Sequence, residues 1–306
     1  MKIFELKLDS PGHQPSIGLT ADRARDIVEA NRSLIHAIDQ EELYDAVISD
    51  YIEFESALLT TSVEQTCRPI LDQSTFDELR LLYNRRLAHL LSLGRSYIDT
   101  QDKNVIAVLG EQSTASMKAA RQIEFERSLG YRAIDALRNA TQHYGLPLQG
   151  LTIGFTWSFD PAGKKDQRAH YVVPYLNLSQ MRRDNGFKKK ILAELIDRGE
   201  RIDIRPMTRE YVEGISNIHN EFRSIIQLRV LEAELVVQKA INDWRQVTSQ
   251  TEDANGLAVT STVSNQANIE SYISEPTLRR LQHLTQKNRA PLKLAKSYAS
   301  NSSTLA

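Results

Sequence analysis

Arg138, Asn139 and His143 fall within one short string, RNATQH, and their types suit proton transfer beside an anion. An imidazole titrating near neutrality can take up or release a proton at working pH. A guanidinium is permanently charged and offers a bidentate donor fork to anionic oxygens. On a helix, Asn139 and His143 are four apart and share a face, so Asn139 can hydrogen-bond the imidazole and fix its orientation. Arg138 and His143 are five apart, roughly 140° round an ideal helix, so the Arg must reach round or the last turn must distort. A plainer reading stands beside this one. Cations are favoured near a helix C-terminus, and Gly145 suits the position just past the last turn.

Other strings carry weaker signals. MRRDNGFKKK holds the densest run of positive charge, with Arg182, Arg183, Lys188, Lys189 and Lys190. It reads either as a solvated turn and helix start or as a phosphate-contacting patch supplementing another site. His219 and Arg223 share a helix face in NIHNEFR, which reads either as structural polar contacts or as a second site. The seven histidines are scattered and form no H-E-x-x-H pattern, so no metal site is expected. Walker A, G-x-G-x-x-G and G-x-S-x-G strings are absent from the sequence, so no nucleotide or dinucleotide cofactor is expected.

The chain of 306 residues is 41% hydrophobic and 25% charged, the balance of a globular protein. Lys plus Arg (38) nearly cancels Asp plus Glu (39) for a net charge of -1, which argues against non-specific coating of nucleic acid. Cys67 is the single cysteine, so no intrachain disulfide forms and a reducing cytoplasm is the expected location. The N-terminus lacks the apolar core of a signal peptide, and no segment approaches the roughly 18 apolar residues of a membrane span.

The elements around RNATQH read as mainly α: a helical bundle with an inserted antiparallel β-hairpin. FELKL alternates as a short strand. Thr20 with Asp22 opens a helix, an Asp39/Glu42 capping box opens a second, and Thr75/Glu78 opens a third. Residues 114–144 give one helix or two, with Gly130 as the candidate joint. In LTIGFTWSFD the period then changes to two, with Leu151, Ile153, Phe155, Trp157 and Phe159 on one face of a half-buried strand. RAHYVVPYLNL returns as its partner, Pro174 marking an edge or irregularity, and the N-terminal strand is a candidate third strand. The long pattern from Thr208 to Gln246 is helical, residues 251–266 read as a linker, and a short helix precedes a frayed tail. The expected divisions are 1–147, 148–180, 181–250 and 251–306.

Arg138, Asn139 and His143 together resemble the R-x4–6-H motif of the HEPN superfamily, in which a polar residue commonly follows the Arg. The resemblance covers residues 20 to 147. A second string, NRRLAH, resembles the motif with Arg and Asn interchanged, and Arg85 and His89 are set aside as a decoy. HEPN domains are small helical bundles, many of them metal-independent ribonucleases of toxin–antitoxin, CRISPR and phage-defence systems. The hairpin and long helical region after the motif are not features of a minimal HEPN domain.

The resemblance implies an endoribonuclease acting as a homodimer, two motifs facing one cleft, with an antitoxin or other defence-system protein as a further partner. Cleaving RNA without a metal requires deprotonating a 2′-hydroxyl, stabilising an anionic phosphorane and protonating the leaving 5′-oxygen. Two histidines can divide the proton transfers, and arginine serves the phosphorane. The alternative is a non-catalytic dimer that binds nucleic acid or nucleotide or acts as a scaffold. A sensor subunit of a defence system is the third reading.

Overall fold

No Pro or Gly interrupts the sequence from Ala21 to Cys67, and one helix, α1 (Ala21–Cys67), runs through it after two short strands, β1 (Ile3–Leu8) and β2 (Ser16–Leu19). The structure is a computed structural model. It describes residues 2–12, 14–69, 72–183, 187–248, 254, 256–264 and 266–299, and the backbone alone of 112, 140 and 142–144. The helix start expected at Asp39 is not there. A cap needs non-helical backbone, and nothing at Asp39 imposes it. The buried stripe Leu34, Ala37, Glu41, Tyr44 and Val47 passes the position without losing phase.

The next helix, α2 (Gln73–Leu109), starts one cap earlier than expected. Asp72, rather than Thr75, supplies the acceptors, taking hydrogen bonds from the Thr75 amide (2.8 Å) and hydroxyl (2.9 Å). After a break at Gly110 come two helices, α3 (Thr114–Arg127) and α4 (Leu129–Tyr144). Their joint is Ser128, whose hydroxyl accepts from the Tyr131 amide at 3.0 Å, not Gly130.

The inserted hairpin is present as β3 (Gly150–Phe159) and β4 (Lys165–Asn177). Short helices α5 (Leu178–Arg183) and α6 (Lys189–Leu195) follow, then β5 (Arg201–Asp203) and the 45-residue α7 (Ile204–Thr248). The chain continues with β6 (Leu257–Val263), β7 (Gln266–Tyr272) and α8 (Glu275–Lys287). Residues 300–306 of the expected tail lie outside the described residues. No described helix is long and apolar enough to cross a membrane.

The chain forms two compact units, one of Met1–Asp45, Thr100–Lys118 and Asn220–Ala290, the other of Ala46–Asp99, Ala119–His219 and Pro291–Ala306. Segments distant in sequence therefore share a unit, unlike the four consecutive divisions read from the sequence.

The first unit holds a sheet of order β2-β1-β6-β7. Two expectations are corrected here. The N-terminal strand pairs with β6, Leu6 opposite Val259, rather than with the hairpin. Much of the expected linker at 251–266 is strand. Its Leu257, Ala258, Val259, Thr260 and Ser261 are all buried, so the central strand shows no alternation. Its polar groups are satisfied within the sheet, Thr260 donating to the Glu5 carbonyl (3.3 Å) and Ser261 to Glu270 (2.5 Å).

α8 is tied back to α1 in the same unit. Asp45 accepts from Lys287 (2.7 Å) and from the Asn288 amide (2.8 Å). Burial raises the Asp45 carboxyl, but those hydrogen bonds and the charges of Lys287 and Arg280 outweigh it and hold it below its ordinary 3.8. A depressed folded pKa contributes stability that is fully present above the unfolded value and lost as pH falls through the folded one. Asp45→Asn should therefore lower the melting temperature at neutral pH and flatten its fall below about pH 4. Thermal melts across that range check this; parallel acid limbs would show that the tether contributes nothing.

In the second unit the hairpin sheet has the order β3-β4-β5. β5 pairs only with Tyr175, Leu176 and Asn177 of β4. Pro174, which has no amide hydrogen, stands opposite Leu151 of β3, just beyond the stretch that β5 pairs.

Candidate functional site

α4 holds Arg138, Asn139 and His143 in its last two turns and is fixed at both ends within the second unit. At its start, a Glu210 carboxylate oxygen on α7 accepts from the Ser128 hydroxyl (2.6 Å) and the Gly130 amide (2.9 Å). An acid at a helix N-terminus satisfies free amides and complements the dipole. Arg132 donates to the Phe125 and Glu126 carbonyls (2.8 and 3.0 Å) and pairs with Glu194 of α6. Tyr131, Ile134 and Leu137 bury one face of the helix.

At its end α4 stops on Gly145, with φ 109°, a conformation that a side chain would strain. Asn84 of α2 then clasps the next segment. Its amide donates to the Leu148 carbonyl (3.1 Å), and its oxygen accepts from the Leu148 amide (2.7 Å). Asn84 is fully buried, so the pair of bonds substitutes for a strand partner away from water.

Arg138 is half-buried. Its Nη1 donates to Asn139 Oδ1 at 3.0 Å, while its buried Nε has no hydrogen-bond partner. Among the described residues it has no carboxylate partner, unlike Arg95 with Asp99, Arg205 with Asp203 and Arg209 with Glu55. Fully buried Tyr211 of α7 feels its charge. Burial pushes the Tyr211 hydroxyl well above its ordinary value, as do Tyr131 and Asp135, while Arg95 and Arg138 oppose them. Tyr211 crosses α2 where Gly94 leaves room: a Cβ at that glycine would lie 2.4 Å from the hydroxyl.

Asn139 accepts from Arg138, and the contact expected between Asn139 and the His143 imidazole lies outside the described residues. His143 belongs to α4 by its backbone, and its side chain lies outside the described residues.

The basic run is exposed at Arg182, Arg183, Lys188, Lys189 and Lys190, and residues 184–186 of that string lie outside the described residues. Lys188 stands over the Phe125 ring at 5.7 Å. Together with the Arg132–Glu194 pair, this places α6 toward the start of α4. Arg138 lies about 9 Å further along the helix axis from Arg132 at 1.5 Å per residue. The basic run and the RNATQH string thus share a unit but sit toward opposite ends of one helix.

The string set aside as a decoy makes an ion pair with α1. His89 Nδ1 lies 2.7 Å from Asp50 Oδ2, and Arg85 is exposed. His219 bonds Tyr97 through Nδ1 (3.0 Å), and in the other unit Arg223 makes a bidentate pair with Glu41 (2.7 and 2.6 Å). Among the described residues no group of three or more His, Cys, Asp or Glu is placed to hold a metal ion.

Asn84, Glu210 and Gly94 escaped the sequence reading. Only Gly94 carried a local sign, a glycine inside an otherwise helical pattern. Comparison with protein families, with curated proteins and with solved structures gives no match for the chain.

Proposed function

We propose that the chain is an endoribonuclease of the HEPN type, a toxin or phage-defence effector, in which Arg138, Asn139 and His143 form the site. The observation that carries this reading is Arg138, a half-buried guanidinium without an acid partner among the described residues, steadied by Asn139 at the end of a doubly anchored helix. Holding such a charge partly out of water is costly unless an anion meets it, and an RNA phosphate is that anion.

His143 of one copy takes the 2′-hydroxyl proton. The oxygen attacks the adjacent phosphorus, and the 5′-oxygen leaves with a proton from the second copy's imidazole. The Arg138 fork holds the phosphorane oxygens, and the exposed cations from Arg182 to Lys190 bind phosphates further along the strand. The acting form is a homodimer in the cytoplasm, with an antitoxin or other defence protein as partner.

The purified protein should cut single-stranded RNA in excess EDTA, leave 2′,3′-cyclic phosphate ends and spare the matching DNA. Cleavage abolished by EDTA, or RNA left intact, would overturn the proposal. Light scattering should give a dimer at micromolar concentration; a monomer there would refute the shared cleft.

A further inference from the structure

The alternation in LTIGFTWSFD continues past the point where the protein stops covering it. Leu151 is buried and Ile153 half-buried, but Phe155, Trp157 and Phe159 are 46%, 37% and 62% exposed. They occupy alternate positions of β3, and the strand pairing sets His170 opposite Phe155 and Arg168 opposite Trp157, with a register irregularity before Lys165 opposite Phe159. The outer half of the hairpin is thus a ladder of rings on one strand and proton-bearing or cationic groups on the other.

The two sides of the ladder are in contact. The Arg168 guanidinium stands 5.0 Å from the Phe155 ring centre and 5.9 Å from that of Trp157, and the Lys165 ammonium 5.2 Å from Trp157. His170 lies 5.7 Å from Phe155. At the foot of the ladder is a groove of about 550 Å³, lined by Phe76, Phe155, Arg168, His170 and Arg201 among others and, among the described residues, by no Asp or Glu. That volume lies within the usual range of small-molecule sites, roughly 300–1,000 Å³.

A row of exposed aromatics on a soluble strand marks a contact surface. We infer that this face of the hairpin binds single-stranded nucleic acid, its bases stacking on Phe155, Trp157 and Phe159 and its phosphates meeting Lys165, Arg168 and Arg201. Charge selects this occupant. A second copy docked face to face would bring two cationic faces together, whereas a polyanion with ring-shaped bases matches both halves of the ladder. Every second residue of a strand advances about 6.8 Å, twice the roughly 3.4 Å step of stacked bases, so a base fits against each ring. The groove at the foot then takes a nucleotide at the end of the row, which a flat lipid surface would leave empty.

The inference goes beyond cleavage and does not need it, so it is tested on a strand that the proposed reaction cannot cut. A fluorescent single-stranded oligodeoxynucleotide should bind the full-length protein in an anisotropy titration, and more weakly as salt rises. Trp157→Ala should weaken binding at least about fivefold and Phe155→Ala/Trp157→Ala at least about 25-fold, as loss of one and two stacking platforms requires. Arg168→Gln should reduce the salt dependence. All these hairpin positions are exposed, so melting temperatures should stay within a few degrees. Absence of salt-dependent binding, or unchanged affinity in both aromatic variants, would overturn the inference. So would a Trp157-dependent response only to phosphatidylserine vesicles, or only to protein concentration.

Discussion

His143→Ala should lose RNA cleavage by at least about 10²-fold, the smaller end of what general acid–base catalysis contributes, while remaining folded and dimeric. No other group in RNATQH can move a proton near neutral pH. Arg138→Lys should also lose most activity, since an ammonium is a point charge that cannot reproduce two parallel hydrogen bonds to phosphorane oxygens. It would also lose the Nη1 bond to Asn139. Asn139→Ala should cost less than either, because it steadies the guanidinium without touching the reacting atoms. Single-turnover cleavage rates, with melting curves of each variant, separate these outcomes from simple unfolding. If His143 merely ends a helix, its alanine variant will keep full activity and lose on the order of 1 kcal/mol of stability. Full activity in that variant would remove the nuclease reading.

Asn84→Leu should be the most damaging change outside the site. Leucine fills a similar volume but offers nothing to Leu148, whose buried amide and carbonyl would lose the partners at 2.7 and 3.1 Å. An unsatisfied buried polar group costs about 1–3 kcal/mol, so the two together should cost about 2–6 kcal/mol. Asn84→Asp tests the two halves separately. It keeps an acceptor for the Leu148 amide but sets a carboxylate oxygen against the Leu148 carbonyl, and should also be strongly destabilised. Denaturant unfolding at unchanged m-value measures both. A loss under about 0.5 kcal/mol in Asn84→Leu would mean that the segment after α4 is held by something else.

The legible parts of the fold were those with a strong local period. The hairpin was readable because Leu151 to Phe159 alternate without exception, although alternation alone did not reveal that its outer half is uncovered. The joint between α3 and α4 was legible to within two residues, since Ser128 caps through its own side chain. By contrast, Asp39 and Glu42 have the letters of a capping box inside a continuous helix, because letters cannot report the backbone angle that a cap requires. β6 was mistaken for linker because a strand buried on both faces tolerates Thr and Ser once their hydroxyls are bonded inside the sheet. For the proposed site, the residue types of RNATQH stand together in one short string and are legible as a candidate. The groups that hold α4 in place are not, because Asn84 and Glu210 act across long stretches of chain and look like ordinary polar residues on helices.

The pairing of β1 with β6 also sets an order of events during synthesis. Ile3 is matched with Thr262, so roughly 250 residues must be made after β1 before its partner exists. At about 5–20 residues per second this interval is on the order of 12 to 50 seconds. Through that time β1 has only β2 beside it, and its other edge, carrying Leu6, has open backbone donors and acceptors. Such an edge invites pairing with a neighbouring chain on the same message. The edge of β1 therefore stays open to such pairing until β6 has been made.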